Sequence, residues 1–227
     1  YNTIEEQASM CSNIISSWKT RDFPVRAAAA IGVSGDYLER AQTIVETGIN
    51  IICIDIAHGH HVLMKKALKT LRNIFGDEIH IMAGNVATLE GYNALADWGA
   101  NSIRVGIGGG SICSTRLVSG HGVPTLHSIF ECAKSDRDVK LIADGGIKTS
   151  GDIVKALAAG ADFVILGSML AGTDESPGEI FDSGKKKYKV YRGMASLEAQ
   201  INWRGKSSTP EGISTTIPYK GSVINIL

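Results

Sequence analysis

The chain has 227 residues, 20% of them charged, with Lys+Arg and Asp+Glu balanced at 23 each and a formal net charge of zero. No single-signed field follows from that balance, which argues against nucleic-acid binding through bulk charge, while 26 glycines leave local phosphate-binding turns open. No apolar run has the length of a membrane span, and Cys11, Cys53, Cys113 and Cys132 show neither metal-ligand spacing nor a disulfide pattern, so cytosolic thiols and a cytoplasmic setting are expected.

In chain order, Ile4 to Ser16 reads as an amphipathic helix and Val25 to Gly32 as a strand of small residues. Asp36 to Thr47 is a helix stopped by Gly48, and Ile51 to Ile56 (IICIDI) is an apolar strand with a carboxylate near its end. Leu63 to Phe75 is a helix, His80 to Val86 a strand, and Thr88 to Trp98 a helix with Thr88 as N-cap. Ser102 to Ile107 is a strand, Thr125 to Cys132 a helix, Leu141 to Ala143 a strand opening into Asp144-Gly145-Gly146. Ser150 is read as the cap of a helix running to Ala159, and Phe163 to Leu166 as the last apolar strand, before Gly167-Ser168. Beyond Leu170 the pattern stops: a polar turn at Thr173 to Gly178, a short exposed strand at Lys185 to Val190, and a loop from Trp203 to Gly212.

The strands are apolar throughout rather than alternating, as in parallel sheets buried on both faces. Nearly every one ends in a polar residue or glycine, and a (β/α)₈ barrel collects such ends at one mouth. A complete barrel takes roughly 250 residues, so the expected fold is a barrel without its first one or two β/α units. The whole chain is taken as one catalytic domain, 1–227, with a loop or flap region over 173–218. A six-stranded doubly wound sheet is the alternative.

Chemistry concentrates in Gly106 to Arg116, GIGGGSICSTR. Its glycines let backbone groups converge on a phosphate or a monovalent cation, and Cys113 at the mouth can act as a nucleophile; a buried structural cysteine is the other reading. Thr115 can orient a proton or a water. Asp144 can hold ribose hydroxyls, and Gly167-Ser168 ends a strand where barrel phosphate sites form. Asp55, His58 and His60 cluster after IICIDI, but without matching ligands from another strand a contact of Asp55 and Asn85 with cofactor or substrate is favoured over a metal. Glu211 offers a carboxylate that can donate or accept a proton.

GIGGGSICSTR, IADGGIKTSGDIVKALAAGADFVILGSMLAGTDESPGE, YKVYRGMAS and PEGISTTIPYKG resemble the IMP dehydrogenase / GMP reductase family, over essentially the whole chain. The resemblance implies a homotetramer-forming barrel that acts on a purine mononucleotide through a covalent bond from Cys113 to purine C2. It implies catalytic roles for Cys113, Thr115 and Glu211. Nucleotide contacts fall to Ser111, Asp144, Gly146, Gly167, Ser168, Tyr191, Gly193 and Met194, and the dinucleotide side to Asp55 and Asn85. Carbonyls of Gly108, Gly110 and Cys113 match a site for a monovalent cation, K+. Nucleic acid and membrane are not expected partners.

The chain also departs from the family pattern, and some departures bear on direction. The family's Gly-Pro-Gly is Gly108-Gly109-Gly110, and no regulatory module interrupts Ser16 to Arg26. The dehydrogenase activates water with an Arg-Tyr pair on a long flap, yet Leu197 to Pro210 reads LEAQINWRGKSSTP, without that pair. The expected reaction is therefore reductive deamination of GMP with NADPH. IMP dehydrogenase with NAD is the alternative, to which YRGMAS points, and an inactive nucleotide-binding barrel is a further one. Animal-type reductases carry an arginine three residues before the acid, where this chain has Ser208.

Overall fold

The structure is a computed structural model that describes residues 2–18, 26–184, 186–193, 196–204 and 212–226. Six strands form one sheet: β1 (Ala29–Ile31), β2 (Ile51–Asp55), β3 (His80–Val86), β4 (Ser102–Val105), β5 (Lys140–Asp144) and β6 (Phe163–Ile165). Their order in the sheet is their order in the chain, and β1 to β4 pair in parallel. Parallel neighbours need a crossover, and each one holds a helix. Between β1 and β2 lies α2 (Tyr37–Glu46), then α3 (Val62–Phe75), α4 (Leu89–Asp97), the pair α5 (Thr115–Ser119) and α6 (Thr125–Cys132), and finally α7 (Ser150–Ala158). That repeat is a (β/α)₈ barrel lacking its early units, the fold class expected from the apolar strands.

The chain folds as two compact units, and each has its own logic. The N-terminal unit comprises Asn2–Val105 and Glu131–Ile142. Its core is made by the strands and the inner faces of their helices: Ile52, Ile54, Ile81 and Ile103 are fully buried, as are Ile44 of α2, Met64, Leu68 and Leu71 of α3, and Leu95 of α4. The spacing of Met64, Leu68 and Leu71 at i, i+4 and i+7 is what makes α3 a helix with one apolar face, with its lysines on the other. Thr88 caps α4, accepting the Gly91 N–H at 3.2 Å. Ahead of β1, α1 (Ile4–Trp18) is tied to α2 by Arg40, which donates to the Asn2 carbonyl and to Gln7 Oε1.

The C-terminal unit comprises Gly106–Phe130 and Ala143–Leu227. Here the cap of α7 is Thr149 rather than the expected Ser150: its hydroxyl accepts the Asp152 N–H while the Asp152 carboxylate accepts the Thr149 N–H, a reciprocal box. Beyond β6 a three-stranded antiparallel sheet forms from β7 (Ile180–Ser183), β8 (Lys186–Arg192) and β9 (Ser214–Pro218), with helix α8 (Leu197–Arg204) between β8 and β9. Of these, only the β8 region was expected as a strand. β7 is exposed at every position, so no alternation marks it; the available signal is Gly184, at φ 65° directly after the strand. Of the loop expected from Trp203 to Gly212, Trp203 and Arg204 are instead the last residues of α8, and 205–211 lie outside the described residues.

Candidate active site

The C-terminal unit gathers most of the expected site around the loop after β4. Gly106, at φ 144°, is backed so closely by Asp144 that a Cβ would lie 1.9 Å from the Asp144 carbonyl oxygen. A Cβ on Gly145 would meet Gly109 C and Gly110 N at 3.0 Å, and one on Gly109 would meet Thr125 Oγ1 at 2.4 Å. Glycine at these positions is thus a packing requirement: two backbones lie against each other with no room for side chains. A side chain at position 109 would require the Thr125 hydroxyl to move.

Cys113 follows, and its thiol donates to Thr115 Oγ1 at 3.2 Å, with Thr115 opening α5. The backbone there is fixed from two sides. Cys113 N–H donates to the Gly110 carbonyl at 3.2 Å, and Ile213 N–H donates to the Ile112 carbonyl at 3.1 Å. Cys113 and Gly212 form an antiparallel bridge, and Gly193 N–H donates to the Ile213 carbonyl. Gly193, 3.3 Å from Ile112 Cδ1 when a Cβ is placed on it, is therefore a contact of the cysteine loop. Among the four free cysteines, Cys11, Cys53 and Cys132 are buried and Cys113 is partly exposed. Burial pushes the Cys11 thiol up, and burial with Glu131 nearby pushes Cys132 up to about 12. The one accessible thiol is also the one with a hydroxyl partner on a glycine-rich loop.

Ser111, Gly167 and Tyr191 converge as well. Ser111 Oγ and the Tyr191 hydroxyl are 3.4 Å apart, and a Cβ on Gly167 would lie 3.8 Å from the same hydroxyl. Ser168 follows, half-buried. Asp144, half-buried, ends β5, with Gly145 and Gly146 at φ 91° and 82° after it. A cavity of about 320 Å³ lies beside this loop, lined by Gly109, Thr125, Gly146, Arg116 and Lys148 among others; Cys113, Ser111 and Asp144 are not in its wall. Met194 and Glu211 lie outside the described residues.

The expected cation donors are backbone carbonyls, hard neutral oxygens that suit a monovalent cation. Gly110 already uses one lone pair on the Cys113 N–H and keeps the other. Gly108, at φ 80°, is pinned by the stem of Arg116: a Cβ there would lie 2.7 Å from Arg116 Cγ. Among the described residues no group of three His, Cys, Asp or Glu side chains is placed to hold a metal ion.

In the N-terminal unit, Asp55 ends β2 and Asn85 is the penultimate residue of β3. Asp55, Gly84 and Arg104 are register partners on β2, β3 and β4. Because a Cβ on Gly84 would lie 2.6 Å from Arg104 Cβ, the absent side chain is what lets Arg104 reach across the middle strand. Its guanidinium bonds Asp55 Oδ1 at 3.1 Å and Cys53 Sγ at 3.3 Å. The Asp55 carboxylate, half exposed, is thereby anchored with capacity left to accept from a diol. Arg104 was missed by sequence reasoning; a lone arginine inside the apolar strand SIRVGI was the available signal. His58 is pushed down by burial first and by His60 and His61 second.

The profile of the IMP dehydrogenase / GMP reductase domain matches residues 1–227. The chain is 45% identical over 216 residues to an inosine-5'-monophosphate dehydrogenase of Nitrosopumilus maritimus, covering 88% of this chain and 44% of that protein. It is 47% identical over 214 residues to a GMP reductase of Leishmania major, covering 88% of this chain and 43% of that one. Among solved structures, a cysteine-to-alanine variant of GMP reductase from Trypanosoma brucei in complex with guanosine 5'-monophosphate superposes with a TM-score of 0.84 at 41% identity, over 95% of this chain and 47% of that chain. The chain thus spans less than half the length of these relatives. No described helix is long and apolar enough to cross a membrane. With the profile covering every residue and the relatives covering nearly nine-tenths of the chain, this protein belongs to the IMP dehydrogenase / GMP reductase family.

Proposed function

We propose that the chain carries the catalytic part of a GMP reductase, an NADPH-dependent oxidoreductase that converts GMP to IMP and ammonia. The observation that carries this reading is the pairing of the one accessible thiol, Cys113, with Thr115 Oγ1 at 3.2 Å on a loop that Gly212 and Ile213 hold in place. Cys113 Sγ bonds to purine C2, and the 2-amino group leaves as ammonia, with Thr115 and Glu211 moving the protons. Glu211 directly precedes Gly212, the bridge partner of Cys113. Ser111, Gly146, Gly167, Ser168 and Tyr191 bind the phosphate end; Asp144 takes the ribose diol; Gly193 and Met194 complete the nucleotide pocket. When bound at the side of Asp55 and Asn85, NADPH supplies the hydride that replaces sulfur at C2 and leaves IMP. K+ on the carbonyls of Gly108, Gly110 and Cys113, a homotetramer and a cytoplasmic setting belong to the same reading.

The absence of an Arg-Tyr pair between Leu197 and Pro210 supports the reductase, since hydrolysis of a thioimidate needs a base for water. The rival is IMP dehydrogenase, oxidising IMP to XMP with NAD; YRGMAS and the dehydrogenase relatives favour it. One assay separates them: GMP with NADPH in one cuvette and IMP with NAD in another, both with potassium. Ammonia and IMP from the first support the reductase. XMP from the second without turnover of the first overturns it. Tight GMP binding with no absorbance change from either nicotinamide points to an inactive nucleotide-binding barrel.

A further inference from the structure

The end of the PYKG stretch holds a lysine that neither the proposed chemistry nor the proposed pocket uses. Lys220 Nζ donates to the carbonyl of Ser168 at 2.8 Å and to that of Met169 at 2.9 Å. Those carbonyls belong to a single helical turn that starts at Gly167, whose own carbonyl accepts from Leu170 and Ala171 N–H, both at 3.0 Å. In a right-handed turn the carbonyls point towards its C-terminal end and the free N–H groups towards its N-terminal end. Among the described residues, the N–H groups of Ser168 and Met169 donate to no protein acceptor, although Met169 is only 7% exposed. The ammonium therefore closes one end of the turn while its amides stay open at the other, next to Gly167.

Lys220 is itself held. Its N–H donates to the Gly172 carbonyl at 2.9 Å, and Thr173 bridges in parallel to Gly221. Gly172, at φ 87°, has the Pro218 carbonyl oxygen 2.5 Å from where its Cβ would be, so the two segments touch backbone to backbone. The Tyr219 hydroxyl donates to Asp174 Oδ1, and Ser222 Oγ to Glu175 Oε1. Burial pushes the Lys220 ammonium below its ordinary range, which is a cost that surface placement would avoid.

We propose that Lys220 is a positioning residue for the nucleotide phosphate: its ammonium, fixed on the Ser168 and Met169 carbonyls, sets the Gly167–Leu170 turn so that its open amides and dipole face a bound phosphate. The inference rests on the reading of Gly167 and Ser168 as phosphate contacts. A cation at the carbonyl end of a turn reinforces the positive potential at its amide end and removes the freedom of the turn to tilt. Lys220 itself does not touch the phosphate.

The test compares two probes, GMP and guanosine, which differ only in the phosphate, by titration calorimetry on the full chain. Wild type is expected to prefer GMP. In Lys220→Met, GMP is expected to bind about tenfold more weakly, with guanosine changed by less than about twofold. Lys220→Arg, whose guanidinium can donate to both carbonyls, is expected to keep most of the preference. Lys220→Gln, which retains a donor without the charge, is expected to fall between; if the methionine variant does not fold, this variant decides. An unchanged GMP preference in the neutral variants overturns the inference alone. So does a parallel loss of both ligands, which is the mark of general disruption. A wild type without preference for GMP overturns the phosphate reading, and the inference with it.

Discussion

The N-terminal unit fixes the end of its strands with side chains, and the C-terminal unit does so with the lack of them. At the tips of β2 to β4, Arg104 crosses Gly84 to hold Asp55, over a core of Ile52, Ile54, Ile81 and Ile103. After β4 and β5, Gly106, Gly109 and Gly145 let backbones lie against one another, and Cys113 is set by main-chain bonds to Gly110 and Ile213 through its neighbours. Side-chain packing tolerates adjustment, because rotamers can move; backbone against backbone does not. A loop built the second way holds a thiol in one place without burying it.

The largest contrast expected between the two regions is in thiol reactivity. Cys132, buried in the N-terminal unit with its thiol pushed up to about 12, has a thiolate fraction of about 10⁻⁴ at pH 8. Cys113 is partly exposed. Iodoacetamide at pH 8 should therefore modify Cys113 first, by at least about a hundredfold in rate over Cys132. Peptide mapping of partly alkylated protein checks this; equal labelling of the two would show that the units open as readily as each other.

Backbone crowding gives the next effect. Gly106→Ala would place a Cβ 1.9 Å from the Asp144 carbonyl oxygen at φ 144°, a clash and a strained dihedral together. A loss of about 4 kcal/mol is expected, read from the urea midpoint, with nucleotide binding lost in the folded fraction. In the N-terminal unit the comparable measure is Leu68→Ala, which empties a fully buried position on α3. Its expected cost is about 3 kcal/mol, without effect on alkylation of Cys113. If Gly106→Ala proves milder than Leu68→Ala, the loop adapts and the contrast between the two regions is wrong.

The same contrast explains what was legible in the sequence. Apolar runs such as IICIDI and the i, i+4, i+7 spacing of Met64, Leu68 and Leu71 report burial directly, so the sheet and its helices could be read. Cys113, Thr115, Ser111 and Tyr191 could be named because they sit in long motifs, and the structure brings Cys113 to Thr115 and Ser111 to Tyr191. Arg104 and Lys220 could not, since their roles depend on partners 49 and 52 residues away in sequence, reached through register and a strap of backbone. β7 and β9 escaped for a different reason: β7 is exposed throughout and β9 has no buried position, so neither carries a hydropathy alternation. The close approach of Thr125 Oγ1 to Gly109 is likewise a long-range contact that no local pattern announces.

The smallest expected effect lies at the start of α7, where a side-chain box does in the C-terminal unit what glycines do elsewhere in it. Thr149 Oγ1 accepts the Asp152 N–H at 3.3 Å, and Asp152 Oδ2 accepts the N–H groups of Lys148 and Thr149 at 3.2 and 3.1 Å. Thr149→Ala removes the cap and should cost about 1 kcal/mol at pH 7. The carboxylate adds a pH signature. The Lys148 N–H is the main cause holding Asp152 below its ordinary value of 3.8, with the Thr149 hydroxyl next. A group whose pKa is lower folded than unfolded stabilises the fold above its unfolded pKa and loses that contribution as pH falls through the folded value. The stability difference between wild type and Asp152→Asn should accordingly be flat from pH 7 to about pH 5 and shrink as the pH drops below the ordinary carboxylate range. Urea titrations at several pH values read it. A difference that stays constant to the lowest pH would mean that the asparagine variant loses geometry rather than charge, and that the box, like the glycine loop, acts through shape alone.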